Sequence, residues 1–225
     1  MTESGIQIDI EREGSTLLIA FGGMMGKFAG MPAFEFFSLV ARENPAVKRV
    51  FVRDLRQAWY QHGVEGVGSS VPEVASRLRE LVAESGAERV VTIGASAGGF
   101  GAILFGALIG ADEVHAFSPQ TFLDRRRRAL LLDRSNPVQT AALHASSGSG
   151  GRFFDVKRVV ADAAAPTCYV IHYPRYSRTD ALHALRMRSL DGVTLRSYPF
   201  RAHNVAGRLR DQGTLPALLE RIIAG

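Results

Sequence analysis

The chain has 225 residues, 46% of them apolar and 22% charged, with a formal net charge of +5 and an isoelectric point near 9.8. That composition can bury a sizeable core and excludes a disordered chain or a long coiled coil. No apolar run reaches the roughly 20 residues that cross a bilayer, so no membrane partner is expected. The basic residues are nearly all arginine and are spread along the chain. Their one dense run, Arg125 to Arg128, reads as a solvated helix face, and no nucleic-acid motif accompanies it. The lone cysteine, Cys168, lies in the apolar run T-C-Y-V-I-H and is expected to be a buried, inert thiol. The opening residues M-T-E-S-G-I-Q-I-D-I-E-R-E carry acids early and no basic start before an apolar stretch. They predict no secretory signal and a cytoplasmic protein.

Taken in chain order, the apolar runs predict strands and helices in alternation. Ile6–Ile10 alternates in polarity and predicts an edge strand, and T-L-L-I-A-F at Thr16–Phe21 predicts a strand buried on both faces. Further buried strands are expected at Arg49–Arg53, Arg89–Ile93, Glu113–Phe117, Thr167–His172 and Val193–Tyr198. Between the second and third of the buried strands, Ser70 and Glu73 form an S-x-x-E capping box. Val74, Leu78, Leu81 and Val82 then fall on one helical face. The stretch S-S-G-S-G-G at Ser146–Gly151 reads as a flexible loop inside the domain, and Thr214 with Pro216 opens a last helix. Strands too apolar to face water, alternating with helices, predict an α/β fold: a mainly parallel wound sheet flanked by helices, built as one domain over residues 1–225.

After the strand at Arg89–Ile93 comes G-A-S-A-G, Gly94 to Gly98. The pattern is weak alone, but here a strand leads into it and a helix follows, which is the setting in which such a turn exposes a nucleophile. The turn strains the serine backbone, and Gly94, Gly98, Gly99, Gly101 and Ala102 supply clearance for a close strand–helix crossing. Ser96 Oγ is then expected at the positive end of a helix, with the Ala97 N–H aimed at a developing oxyanion.

With this motif in that setting, the chain resembles the α/β-hydrolase superfamily over about residues 14 to 223. The resemblance implies a minimal fold without a large cap, in a bacterial branch with no substrate attached to it. It implies the order nucleophile, acid, histidine along the chain. The histidine should follow the last strand, and His203 stands there in P-F-R-A-H-N-V. The acid should follow Thr167–His172, where Asp180 stands; Asp180 also reads as a helix N-cap, and Asp124 is the second candidate. The superfamily places a second oxyanion donor in the loop after the first buried strand, here F-G-G-M-M-G, so Gly23 or Met24 is expected to supply it. Phe21 stands where many esterases of the superfamily carry a histidine.

Ligand-binding residues of an open parallel sheet gather at the carboxyl ends of its strands. That edge should hold R-D-L-R-Q-A-W-Y-Q-H-G, so Phe28, Trp59 and Tyr60, with Met24, are expected to wall a substrate pocket. His62, His115, His144, His172 and His183 read as packing or surface residues. No metal-ligand spacing, phosphate loop or dinucleotide fingerprint is found, and neither metal nor cofactor is expected. The expected activity is acyl transfer through Ser96 from a small-molecule or carrier-bound ester or thioester, with water as acceptor. An acyltransferase or cyclase would use the same residues, and a non-catalytic binding protein of the same fold is the reading from another class.

Overall fold

The computed structural model describes residues 4–24, 34–147 and 150–225, and the strand backbone at 27–28 and 31–32. Its elements run in the order β1 (Ile6–Asp9), β2 (Thr16–Phe21), β3 (Lys27–Phe28), β4 (Met31–Pro32), α1 (Phe37–Glu43), β5 (Lys48–Val52), α2 (Val71–Ser85), β6 (Arg89–Ala95) and α3 (Ala97–Ile109). There follow β7 (Glu113–Phe117), α4 (Arg125–Leu130), α5 (Pro137–Ser147), α6 (Val156–Ala161), β8 (Cys168–Pro174), α7 (Arg178–Leu185), β9 (Val193–Tyr198), α8 (Val205–Asp211) and α9 (Leu215–Ala224). Seven strands form one sheet in the order β1-β5-β2-β6-β7-β8-β9, parallel except for β1, which pairs antiparallel with β5 at the edge. The chain goes from β2 outward to β5 and then back over β2 to β6. The carboxyl ends of β2 and β6 therefore flank the point where strand order reverses, the usual crevice of such sheets.

The reason β2 reads as a continuous apolar run is visible in its packing. Leu17, Ile19 and Phe21 join the core with α2, α3 and α6, while Leu18 and Ala20 join a second core with α1, α8 and α9. Both faces are covered, so neither set can be polar. The helix expected after the second buried strand forms as α2. Ser70 Oγ accepts from the Glu73 N–H at 3.4 Å, and Val74, Leu78 and Leu81 are buried. The Glu73 carboxylate accepts from the Ser69 amide, so the box closes one residue earlier than the motif implies.

Several sequence expectations about the elements differ from the structure. Strand β9 occupies the free edge of the sheet, and its side chains alternate between half-buried and exposed rather than lying inside. Cys168, the first residue of β8, is exposed, although its neighbours Thr167 and Tyr169 on either side are buried. In the arginine run, Arg125 and Arg126 face solvent, but Arg128 turns inward to pair with Asp133 at 2.7 Å. Of the loop expected at Ser146–Gly151, Ser146 and Ser147 instead end α5, and residues 148 and 149 lie outside the described residues. Among the described residues, the segment between β7 and α6 holds the short helices α4 and α5, and no large cap covers the sheet edge.

Candidate active site

Ser96 sits between β6 and α3 with φ 55° and ψ −118°, a conformation costly for any side chain other than glycine's. Its amide donates to the Phe117 carbonyl at 2.8 Å, which fixes the turn to β7. Two glycines permit the crossing. A Cβ on Gly94 would lie 2.1 Å from the Gly98 carbonyl oxygen, and one on Gly98 would lie 2.1 Å from that of Phe21. Strand β2, the turn and α3 are in backbone contact here, which leaves room for no side chain. The serine is left at the start of a 13-residue helix whose first amides have no earlier carbonyl to bond.

The structure brings Ser96, His203 and Asp180 together. The His203 ring lies with Nε2 at 2.9 Å from Ser96 Oγ and Nδ1 at 2.6 Å from Asp180 Oδ1. His203 belongs to the loop between β9 and α8. That loop is held by Ser118 Oγ donating to the His203 carbonyl and by Asn204 capping α8 through the Gly207 amide. Asp180 lies in α7, but the cap of that helix is Ser177, whose Oγ accepts from the Asp180 amide at 3.5 Å. The aspartate side chain is thus free for the histidine and almost fully buried, while the His203 side chain is 40% exposed. Asp124 caps α4 by accepting from the Arg127 amide, and no contact joins it to His203.

A cavity of about 140 Å³ opens beside the serine, lined by Met24, Glu35, Phe117, Ser118, Asn204 and Val205 together with Ser96 and His203. Gly23 lies at its rim, directly across from Ala95. Phe28 is placed by its backbone on β3, and its side chain lies outside the described residues. Trp59 and Tyr60 do not wall this cavity. Both are fully buried beneath it, and the cause lies in the segment that carries them. The Asp54 carboxylate accepts from the amides of Arg56, Ala58 and Tyr60, coiling residues 54–60 tightly enough that Gln57, Trp59 and Tyr60 all take positive φ. The coil turns both rings inward. The Tyr60 hydroxyl donates to the Gly22 carbonyl at 2.6 Å and so supports the loop after β2 from below.

Among the residues around the serine that the sequence did not single out are Phe117, Ser118, Asn204 and Val205 of the cavity wall, and Gln120 and Glu35. Gln120 is buried; its Nε2 lies 3.3 Å from Ser96 Oγ, and its Oε1 accepts from the Trp59 indole at 3.2 Å. Trp59 therefore reaches the serine through one amide. Glu35 lines the cavity with its Oε2 buried and without a hydrogen-bond partner. Burial raises its pKa to about 7, against the opposing pull of the Gly23 and Ala95 amides and the His203 ring. A signal for Glu35 exists in the sequence: it is one acid inside the aromatic run F-E-F-F, where a solvated position would be unusual.

Among the described residues, no group of three or more His, Cys, Asp or Glu side chains is gathered as a metal would require. The other histidines are engaged elsewhere. His115, His172 and Tyr198 form a hydrogen-bonded row across β7, β8 and β9, and His183 accepts from the Thr121 amide. His144 bonds the Leu123 carbonyl, and His62 bonds Ser146. Among the described residues, no helix is long and apolar enough to cross a membrane.

No family model and no curated protein matches the sequence. The fold, by contrast, is shared with many solved structures. The capsule O-acetyltransferase of Neisseria meningitidis serogroup A is similar over 100% of this chain and 93% of its own, with a TM-score of 0.65 at 11% identity. A fluorophosphonate-binding serine hydrolase of Staphylococcus aureus is similar over 94% of this chain and 84% of its own, with a TM-score of 0.64 at 12% identity. The monoacylglycerol lipase of Paleococcus ferrophilus is similar over 99% of both chains, with a TM-score of 0.55 at 14% identity. These likenesses and the sheet order describe an α/β-hydrolase fold in compact form.

Proposed function

We propose that the chain is a serine acyl-transfer enzyme whose first half-reaction forms an ester on Ser96. The observation that carries this reading is the unbroken chain of hydrogen bonds from Ser96 Oγ through His203 to Asp180, built on a strained strand–turn–helix. A serine hydroxyl is a poor nucleophile unless a base takes its proton as it attacks. His203 Nε2 is that base; Asp180 holds the neutral ring in the tautomer with its proton on Nδ1 and stabilises the imidazolium that forms. The carbonyl oxygen of the substrate gains charge beside the Ala97 amide and the Gly23–Met24 loop. The leaving alcohol or thiol departs with the proton from His203, and the acyl group remains on Ser96. A water activated by the same histidine then releases the acid, which makes the enzyme an esterase or thioesterase.

The cavity supports a short acyl group, since about 140 Å³ bounded by Met24, Phe117 and Val205 holds only a few carbons. The half-exposed histidine leaves room outside the cavity for a bulky or carrier-attached leaving group. The Trp59–Gln120 pair belongs to this reading, Trp59 orienting Gln120 against the serine. A second reading, transfer to a hydroxyl acceptor, is favoured by the similarity along the whole chain to an O-acetyltransferase. Partition of the acyl group between water and an added alcohol separates the two.

The test of the nucleophile is covalent labelling. A fluorophosphonate should modify the wild-type chain at Ser96 and leave Ser96→Ala unlabelled. His203→Ala should slow labelling nearly as far as the double variant does, because the pair acts as one unit. Equal labelling of Ser96→Ala would refute the assignment.

A further inference from the structure

Glu35 is the one acid in the cavity that the triad leaves unused. It stands between β4 and α1 on the far side of the loop after β2, and its Oε1 crowds Gly23. A Cβ built on Gly23 would lie 2.9 Å from Glu35 Oε1 and 2.9 Å from the Ala95 carbonyl oxygen. Glycine at 23 is what lets the carboxyl approach the backbone so closely. Its other oxygen, Oε2, is buried with no hydrogen-bond partner. A buried oxygen left unpaired inside a substrate cavity implies a partner that arrives with the substrate.

We propose that Glu35 acts as a carboxylic acid in this site, its Oε2–H donating to the acyl carbonyl oxygen as that oxygen becomes an oxyanion beside the Ala97 and Met24 amides. This rests on the serine acyl-transfer reading above and adds a third donor to its oxyanion site. The geometry sets two states. As an acid, Glu35 accepts from the Gly23 amide with one oxygen and presents a proton with the other. As a carboxylate it offers only lone pairs and a negative charge where the reaction must place a second one. The proton stays on Glu35 throughout, so the step changes no covalent bond of the enzyme other than that to Ser96.

The groups facing Glu35 are consistent with the acid form. From the loop between β9 and α8 comes His203, with Asp180 behind it. From the segment after β5 comes the Tyr60 phenol, held neutral by burial and backed by the buried Asp54. Arg53 stacks on the neighbouring Phe34 ring at 4.4 Å. With a pKa raised to about 7 by burial, the acid form prevails below that pH and is lost above it. Activity should follow the same sign: present while Glu35 holds its proton and falling as pH rises.

The test is the rate of fluorophosphonate inactivation of the whole chain across about pH 5 to 9.5, since the phosphonyl oxygen occupies the same oxyanion site. The wild-type rate should fall about tenfold per pH unit above about 7. Glu35→Gln keeps an acceptor for Gly23 and a donor that cannot ionise. It should hold its rate to the top of the range and exceed wild type at least tenfold near pH 9. Glu35→Ala lacks the donor and should be slower than wild type below pH 7, with no descending limb. A wild-type rate that reaches a plateau and keeps it to about pH 9 overturns the proposal without any variant. So does a descending limb that persists in Glu35→Gln. Absence of labelling at every pH would overturn the nucleophile reading along with it, whereas normal labelling with an unaltered pH profile in the variants overturns Glu35 alone.

Discussion

At the scale of single residues, two assignments compete for Asp180, and its surroundings separate them. A helix cap is a local role, worth about 1 kcal/mol when lost. Ser177 already fills it for α7, while the Asp180 carboxylate lies 2.6 Å from the His203 ring. Asp180→Asn should therefore leave the melting temperature nearly unchanged and cut ester turnover by about 10⁴-fold, because the amide no longer selects the required tautomer. Ser177→Ala should do the reverse: a loss of about 1 kcal/mol in urea unfolding with turnover retained. Full activity in Asp180→Asn would remove it from the site. That Ser96, His203 and Asp180 stand after strands of one sheet, and so at one edge, was legible in the order of the elements. Gln120 and Glu35 were not. Neither follows from a motif, and what matters about each is an unpaired or shared polar atom that exists only once three segments converge.

At the scale of elements, the site is a product of clearance. Strand β2, the turn at Ser96 and helix α3 touch through their backbones, and the Gly98 Cα hydrogens face the Phe21 carbonyl. Gly98→Ala would place a methyl carbon 2.1 Å from that oxygen, so α3 or β2 must move. We expect a loss of about 1–3 kcal/mol in denaturant unfolding together with slower labelling of Ser96. A variant with wild-type stability and labelling rate would contradict so close a crossing. The inner strands of the seven-stranded sheet were legible because burial on both faces leaves an unbroken apolar run, and β1 was legible from its alternation. The exposure of β9 was not, because V-T-L-R-S-Y fits an edge strand and an inner one nearly as well, and only strand order decides. The segment at Asp54–Tyr60 defeated sequence reasoning for another reason. One carboxylate gathers amides two, four and six residues on, and that coil hides two aromatic rings that composition alone would send to a pocket.

At the scale of the whole molecule, the order of strands puts the ends of β2 and β6 on either side of the reversal, and the site forms there. The loop after β2 brings Gly23 and Met24, the turn after β6 brings Ser96, and the longer connections after β8 and β9 bring Asp180 and His203 to the same edge. Several arginines pair with nearby acids at the surface, as Arg77 does with Glu80 and Glu84. The claim on which everything else depends is that an acyl group passes through Ser96. It is tested most directly by mixing the protein with p-nitrophenyl acetate, quenching in acid within the first turnover, and mapping the peptide masses. One acetyl group on the Gly94–Gly98 peptide of wild type, absent from Ser96→Ala, is the predicted result. Release of p-nitrophenol with no acetyl on that peptide, or an acetyl group that persists in Ser96→Ala, would contradict it.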